Sequence, residues 1–259
     1  EGNPQCRFGI TSRFTPGDAV RIDAITDDGQ YHAWTEINVP QRPFEIENVD
    51  TVTVPLAQSG YTTEYLRYRI TINDRPNETN YYRIVIDKQT TLWGYNHEEG
   101  GDDYIYWTKH SYNFIGREDV VLTDGQPTTG DDEDNGLFDT AKNIYGVFDD
   151  TRFRNTSYTM TVYNNTKIET GSDSGYFSGM DVIIRLMSIT ETEYYYLKAL
   201  NLVDSDAYDE TINEPIKYPS NVHGGTGMVG ISTEVTQTIH IISSSHSKGN
   251  LAPPVHVYQ

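Results

Sequence analysis

A run of carboxylates near the middle of the chain has the side-chain type that binds a hard cation. Asp131, Asp132, Glu133 and Asp134 follow one another in a polar segment flanked by glycines. Calcium takes several oxygen ligands from flexible loops, so Asp131, Asp132 and Asp134 are candidate ligands. The run lacks the spacing of an EF-hand calcium loop, and a solvated acidic loop explains the same residues without a metal. We predict no cofactor, with calcium at this run as the alternative.

A short aromatic run precedes these carboxylates and has the side-chain type that stacks on sugars or peptides. In an extended segment, Tyr104 and Tyr106 share one face, while Ile105 and Trp107 share the other. Tyr104, Tyr106 and Trp107 are therefore candidate ligand-binding residues. The same alternation is typical of a strand in the core of a β sandwich, and both interpretations stay open.

Local signatures of catalysis are missing from the sequence. No two of the seven histidines have the spacing that places two zinc ligands on one helix turn. The Gly-x-Ser-x-Gly motif of α/β hydrolases does not occur. Carboxylates paired for glycoside hydrolysis stay open, because such a pair forms in space rather than along the chain. We predict that the protein is not an enzyme.

The charge of the chain limits its partners. Lys and Arg number 19 against 38 Asp and Glu, which gives a formal net charge of −19. Such a surface repels phosphate backbones, so we expect no nucleic-acid partner. No apolar segment approaches the roughly 20 residues that cross a bilayer as a helix. Because the sequence opens at Glu1 without a leader, we expect any export signal or lipid-attachment cysteine to lie outside it.

Period-two alternation of apolar and polar residues predicts β strands along most of the chain. Residues 19–26, predicted to be half buried, and residues 32–39 flank a turn at Asp27-Asp28-Gly29 and predict a hairpin. Arginines on tyrosine-rich faces of the strands at 65–72 and 80–88 predict a cross-strand lattice of rings and cations. The remaining strands are predicted at 51–56, 144–148, 158–163, 180–188 and 233–243.

The C-terminal third of the chain carries one helix signal and one turn signal. Thr190 and Glu193 form a capping box that predicts a helix near 190–202. Its predicted buried stripe is Ile189, Tyr196, Leu197 and Leu200. The four glycines at 224, 225, 227 and 230 match a dinucleotide fingerprint in spacing alone, because a strand-like run follows them where a helix is required. We interpret them as a tight turn that leads into the last strand.

These elements predict a mostly β protein with antiparallel sandwich or barrel-like sheets and one short C-terminal helix. We predict a small β-sandwich-like hairpin region, or a remnant of one, at 1–45 and a main β domain at 46–259. Residues 94–143 are predicted to form long surface loops with one or two short strands, and loops of this length are typically functional or disordered.

Several segments resemble, in their order, a family of Bacteroides-type exported proteins called domain of unknown function 4249. The last of them is the most specific, because the helix, Glu-Pro and the glycine-rich run occur in the family's order. Met228-Val229-Gly230 departs from the Gly-hydrophobic-Phe-Gly expected there. The segments are Phe-Thr-Pro-Gly-Asp at 14–18, Asn-Tyr-Tyr-Arg-Ile at 80–84, Val-Phe-Asp-Asp at 147–150 with Phe153, Tyr-Tyr-Tyr-Leu-Lys-Ala-Leu at 194–200, Glu-Pro at 214–215 and Ser-Asn-Val-His-Gly-Gly-Thr-Gly at 220–227.

The resemblance implies a location and partners rather than a reaction, because the family has no established catalytic residues. It implies a lipid-anchored protein of the outer membrane, exposed at the cell surface. The implied partners are a TonB-dependent nutrient transporter of the starch-utilisation type and its lid lipoprotein, with an oligosaccharide or peptide as ligand. We expect the loops, chiefly 94–143, to contact transporter or ligand. The alternative function is a surface glycan-binding module that works alone through Tyr104, Tyr106 and Trp107.

Overall fold

The computed structural model describes residues 11–58, 61–95, 104–116, 118–125, 143–165, 176–204 and 216–241. These residues form a mostly antiparallel β structure, as predicted, and no helix among them is both long and apolar enough to cross a membrane. The elements in chain order are β1 (Ala19–Ile25), β2 (His32–Asn38), β3 (Asn48–Gln58), β4 (Tyr61–Asn73), β5 (Tyr81–Tyr95), β6 (Tyr104–Ser111), β7 (Val147–Asp149), β8 (Ser157–Asn165), β9 (Tyr176–Ser188), α1 (Glu191–Val203) and β10 (Thr233–Ile241).

Two packed sheets enclose the core. One has the strand order β3-β4-β8, and the other has the order β10-β9-β5-β6 with β7 added beside β5. Side chains alternate between the faces of a strand, so one apolar set from each sheet points inward. Tyr68 and Ile70 of the first sheet and Ile184 and Leu186 of the second are fully buried members of one cluster. The sandwich is confirmed, and in the described residues it is not closed into a barrel.

Strands β4 and β5 follow one another in the chain but belong to different sheets. Arg67 of β4 lies opposite Tyr163 of β8, whereas Arg83 of β5 lies opposite Met187 of β9. The predicted lattice of rings and cations between these two strands is therefore wrong. The connection between them bonds to a later part of the chain, where the Asn80 N–H donates to Asp150, instead of closing a tight hairpin.

The hairpin of β1 and β2 forms as predicted, but β1 is not half buried. Only Val20 of this strand is partly covered, and Ile25 is 64 % exposed. The prediction was wrong because β1 contacts only β2 among the described elements. A strand at the edge of a two-stranded sheet meets solvent on both faces unless a second layer covers it.

The glycine-rich segment joins this hairpin to the rest of the molecule. Trp34 and His223 exchange backbone hydrogen bonds of 3.0 and 2.8 Å, and their rings stack with centroids 4.1 Å apart. Gly224 follows with φ of +75°, and a Cβ atom at this position would lie 2.3 Å from the carbonyl oxygen of His32. Only glycine fits there. The predicted turn before β10 is confirmed.

Helix α1 confirms the predicted helix, while its buried stripe differs from the prediction. Thr190 is the N-cap, and its hydroxyl accepts a 3.2 Å hydrogen bond from the Glu193 N–H. The Glu193 carboxylate is buried beside Gly230, and its Oε2 has no hydrogen-bond partner in the described structure. Tyr194 is buried where Tyr196 was expected, because its ring packs 4.9 Å from that of Tyr81.

Candidate functional site

Two of the predicted ligand-binding residues lie on opposite faces of the edge strand β6. Tyr106 is 54 % exposed, whereas Trp107 is half buried and lies opposite the fully buried Leu92 of β5. Tyr104 begins the strand, and its side chain lies outside the described structure. Tyr106 and Trp107 therefore cannot stack on one ligand, and a binding role for any of the three stays a prediction.

The exposed face of β6 carries a row of rings next to a fixed imidazole. Tyr112 is 56 % exposed, and its ring stacks on His110 with centroids 6.1 Å apart. The His110 Nδ1 lies 3.0 Å from a carboxylate oxygen of Asp87, and Gln89 donates to the same carboxylate over 2.8 Å. Asp87 is buried and so holds the exposed imidazole in one orientation. Tyr106, His110 and Tyr112 form an exposed ridge of rings along β6 and the residue that follows it.

A second histidine–aspartate pair lies on the same face of the sheet. His240 of β10 lies 2.8 Å from Asp181 of β9, and the register continues through Gln89 of β5 to His110 of β6. Strands are about 4.8 Å apart, so the two histidines are about 14 Å apart across four strands. This separation is too large for one metal ion, and the row forms a polar surface.

The chain also brings together two buried carboxylates, Asp74 and Asp150, but they serve the fold. The Asn80 side-chain amide donates to both, over 3.3 and 3.2 Å. Asp74 also accepts from Tyr82, and Asp150 accepts from Arg154. Both carboxylates are buried and bonded through both oxygens, so the cluster ties two loops together instead of opening to a substrate.

A cleft of about 540 Å³ opens beside β7. This volume is in the range of small-molecule sites. The walls come from the turn at 119–125 and from the end of β7 with the turn that follows it, and α1 packs against β7. The lining residues are Val121, Asp124, Asp149, Thr151 and Arg152.

The two carboxylates of the cleft are already engaged by the protein. Asp149 accepts from the Thr151 N–H over 2.9 Å and from the Tyr194 hydroxyl over 3.2 Å. Asp124 is paired with Lys198 of α1. Burial and the charge of Asp149 raise the pKa of Tyr194, so its hydroxyl stays protonated and donates. Neither carboxylate is arranged as an isolated general base.

Arg152 is the cleft residue with unused hydrogen-bonding capacity. Its Nη2 donates over 2.8 Å to the carbonyl oxygen of Asp124, and the side chain is exposed. The guanidinium lies against Gly125, where a Cβ atom would be 2.4 Å from Nη2. Arg152 forms no ion pair within the described residues, and the one hydrogen bond that its guanidinium makes there leaves its other N–H donors available at the cleft.

The predicted calcium ligands Asp131, Asp132 and Asp134 lie outside the described residues. Across the part of the chain that is described, no three His, Cys, Asp or Glu side chains are grouped to hold a metal ion.

Comparison with known families gives a match over nearly the whole chain. The family model described as Domain of unknown function (DUF4249) covers residues 3–238. The chain belongs to this family. The matched residues include the cleft and the glycine-rich turn. No curated protein matches the chain.

Sequence reasoning missed the cleft of this DUF4249 domain, although one signal pointed toward it. The Val-Phe-Asp-Asp segment at 147–150 contributes to the family resemblance, and its Asp149 lines the cleft. Arg152 follows three residues after Asp149. Asp124 and Lys198 join them from distant parts of the chain, and no spacing in the sequence indicates that contact.

Proposed function

We propose that the protein is a lipid-anchored accessory subunit of a TonB-dependent nutrient transporter of the starch-utilisation type at the outer membrane. It works beside the transporter and its lid lipoprotein and helps to bind or take up an oligosaccharide or a peptide. Membership of the DUF4249 family supports this proposal, because the family resemblance implies this setting. We further propose that the protein acts by binding rather than by catalysis.

The cleft beside β7 is the observation that carries a binding role. Its carboxylates are occupied by Lys198, Thr151 and Tyr194, while Arg152 offers free donors to the cavity. Such a site can orient a polar solute through hydrogen bonds.

Affinity purification tests the proposed partnership. The tagged full-length protein is isolated from its native outer membrane in mild detergent, and co-purifying proteins are identified by mass spectrometry. A TonB-dependent transporter in stoichiometric amount is the expected result. An equally abundant tagged lipoprotein of the same membrane is the control, and it should not retain the transporter. Recovery of the protein alone would contradict the proposal.

The ridge on β6 favours a second function, a surface glycan-binding module that works alone. Exposed tyrosines beside a fixed imidazole suit stacking on sugar rings, and Tyr106 and Tyr112 are each more than half exposed. In this hypothesis Tyr106→Ala abolishes binding on a glycan array without loss of thermal stability. Trp107→Ala, on the other face, should lower stability instead. Binding that persists in the folded Tyr106→Ala variant would exclude the ridge as the glycan site.

A further inference from the structure

The guanidinium of Arg152 is oriented by the fold and left without an anion. The Asp124 carbonyl oxygen and Gly125 fix its position, and both belong to the turn that forms one wall of the cleft. A planar guanidinium fixed in this way matches the geometry of a carboxylate, which it can bind through two parallel hydrogen bonds. In a chain with a formal charge of −19, this cation marks where an anionic group can dock.

We propose that the cleft binds short peptides by their free C-terminal carboxylate, which pairs with Arg152. Carboxylates have several lone-pair positions, so Asp149 and Asp124 can accept further hydrogen bonds from the peptide N–H groups. Arg152 therefore binds the carboxylate of the peptide, and Asp149 and Asp124 accept hydrogen bonds from its N–H groups. This inference rests on the proposed binding function and narrows its ligand class from oligosaccharide or peptide to peptide.

Charge complementarity distinguishes the two ligand classes. A neutral oligosaccharide would offer Arg152 only neutral hydroxyl acceptors, and their hydrogen bonds to a guanidinium are weaker than those of a carboxylate. A peptide C-terminus supplies that charge and also brings N–H donors for Asp149. Because both cleft carboxylates already have protein donors, a simple cation is a poorer ligand than a peptide.

Equilibrium dialysis with defined probes tests this inference. The probes are a mixture of tripeptides randomised at every position and the same mixture as C-terminal amides, with a neutral malto-oligosaccharide series alongside. The proteins are the full chain and its Arg152→Gln variant. Arg13→Gln is the matched control, since Arg13 is an exposed arginine outside the cleft and the charge change is the same. Bound species are quantified by mass spectrometry.

We expect the full chain and Arg13→Gln to retain free-acid tripeptides at least tenfold over the amides. Arg152→Gln should lose this preference. Equal retention of acids and amides, retention by Arg152→Gln, or capture of the oligosaccharides alone would overturn the inference. Failure to retain any tripeptide would also overturn it.

A second pair of variants moves the guanidinium while keeping its charge. Gly125→Ala places a methyl group on Arg152, whereas Gly29→Ala has a similar positive φ with no atom within 4 Å. Both variants carry comparable backbone strain, so circular dichroism verifies that both fold. We expect only Gly125→Ala to lose the preference for free acids. An unchanged preference in folded Gly125→Ala would contradict the assigned position of Arg152.

The purification of the transporter partner separates the two proposals. In one outcome the transporter co-purifies equally with the full chain and with Arg152→Gln while dialysis shows no preference for free acids. This combination would refute the peptide inference and leave the accessory role standing. A preference for free acids without a co-purifying transporter removes the accessory role and leaves the peptide site.

Discussion

Replacing Asn80 by alanine tests whether the buried cluster of Asp74 and Asp150 stabilises the sandwich. The Asn80 amide nitrogen lies 3.3 Å from Asp74 and 3.2 Å from Asp150, in a place that water does not reach. Alanine removes this amide but keeps the backbone N–H, which donates to Asp150 over 2.8 Å. The substitution therefore isolates the contribution of one side chain.

The amide nitrogen also contacts the carbonyl oxygens of Arg75 and Glu78, over 3.1 and 3.4 Å, but the size of the effect is set by its two bonds to the charged carboxylates. A hydrogen bond to a charged group contributes about 1.5–3 kcal/mol, and these two are longer than usual, so each is taken at the lower limit. Their loss lowers the free energy of unfolding by about 3 kcal/mol. In a chain of this size, 1 kcal/mol shifts the melting temperature by roughly 2–4 °C, so Asn80→Ala should melt about 6–12 °C lower.

Thermal unfolding followed by circular dichroism measures this shift. Asn48→Ala is the matched control, because Asn48 is an exposed asparagine on β3 and its loss should change the melting temperature by about 1 °C or less. A shift for Asn80→Ala no larger than that of the control would refute the reasoning. The two carboxylates would then be stabilised by their remaining donors alone.

Two further predictions address the turn and the helix. Gly224→Ala should cost at least about 1–3 kcal/mol because of its positive φ and its overlap with the His32 carbonyl, while Gly29→Ala, which has a similar φ of +69° but no crowding, should cost less in the same urea titration. Burial raises the pKa of Glu193, so the folded state binds more protons than the unfolded state and loses stability as pH rises above the ordinary glutamate value of 4.5. The melting temperature of Glu193→Gln, measured relative to that of the parent protein, should therefore rise as pH increases from about 4 to about 8. A difference between the two melting temperatures that does not change with pH would contradict this prediction.

The sequence predicts the elements of this fold better than it predicts their partners. Alternation located β4, β8 and β9, and a capping box located α1, because both signals depend on residues close together in the chain. Strand pairing depends on contacts between distant residues. Asp150 bonds to Asn80 and draws the loop between β4 and β5 away from a hairpin, and no local pattern indicates this.

In the candidate site too, local patterns were predictable from the sequence and contacts between distant residues were not. Alternation placed Tyr106 and Trp107 on opposite faces of a strand, and the structure agrees, with Trp107 half buried on the inner face. Beyond the segment that contains Asp149, the cleft was not predictable, since Arg152, Asp124 and Lys198 come from three separate segments. Each of them taken alone resembles an ordinary surface charge.

The hairpin of β1 and β2 and the segment that follows it contact residues that lie nearly two hundred positions later in the chain. Arg42 reaches the carbonyl oxygen of Glu234, 192 positions later in the chain, and Trp34 stacks on His223. Closing so long a loop is entropically costly until the intervening sheets have formed and ordered it. We therefore expect the docking of the hairpin to be the final folding event. Until the C-terminal segment arrives, a nascent chain would present Trp34 to solvent and to chaperones. The environment of Trp34 can thus serve as an intrinsic signal that folding is complete.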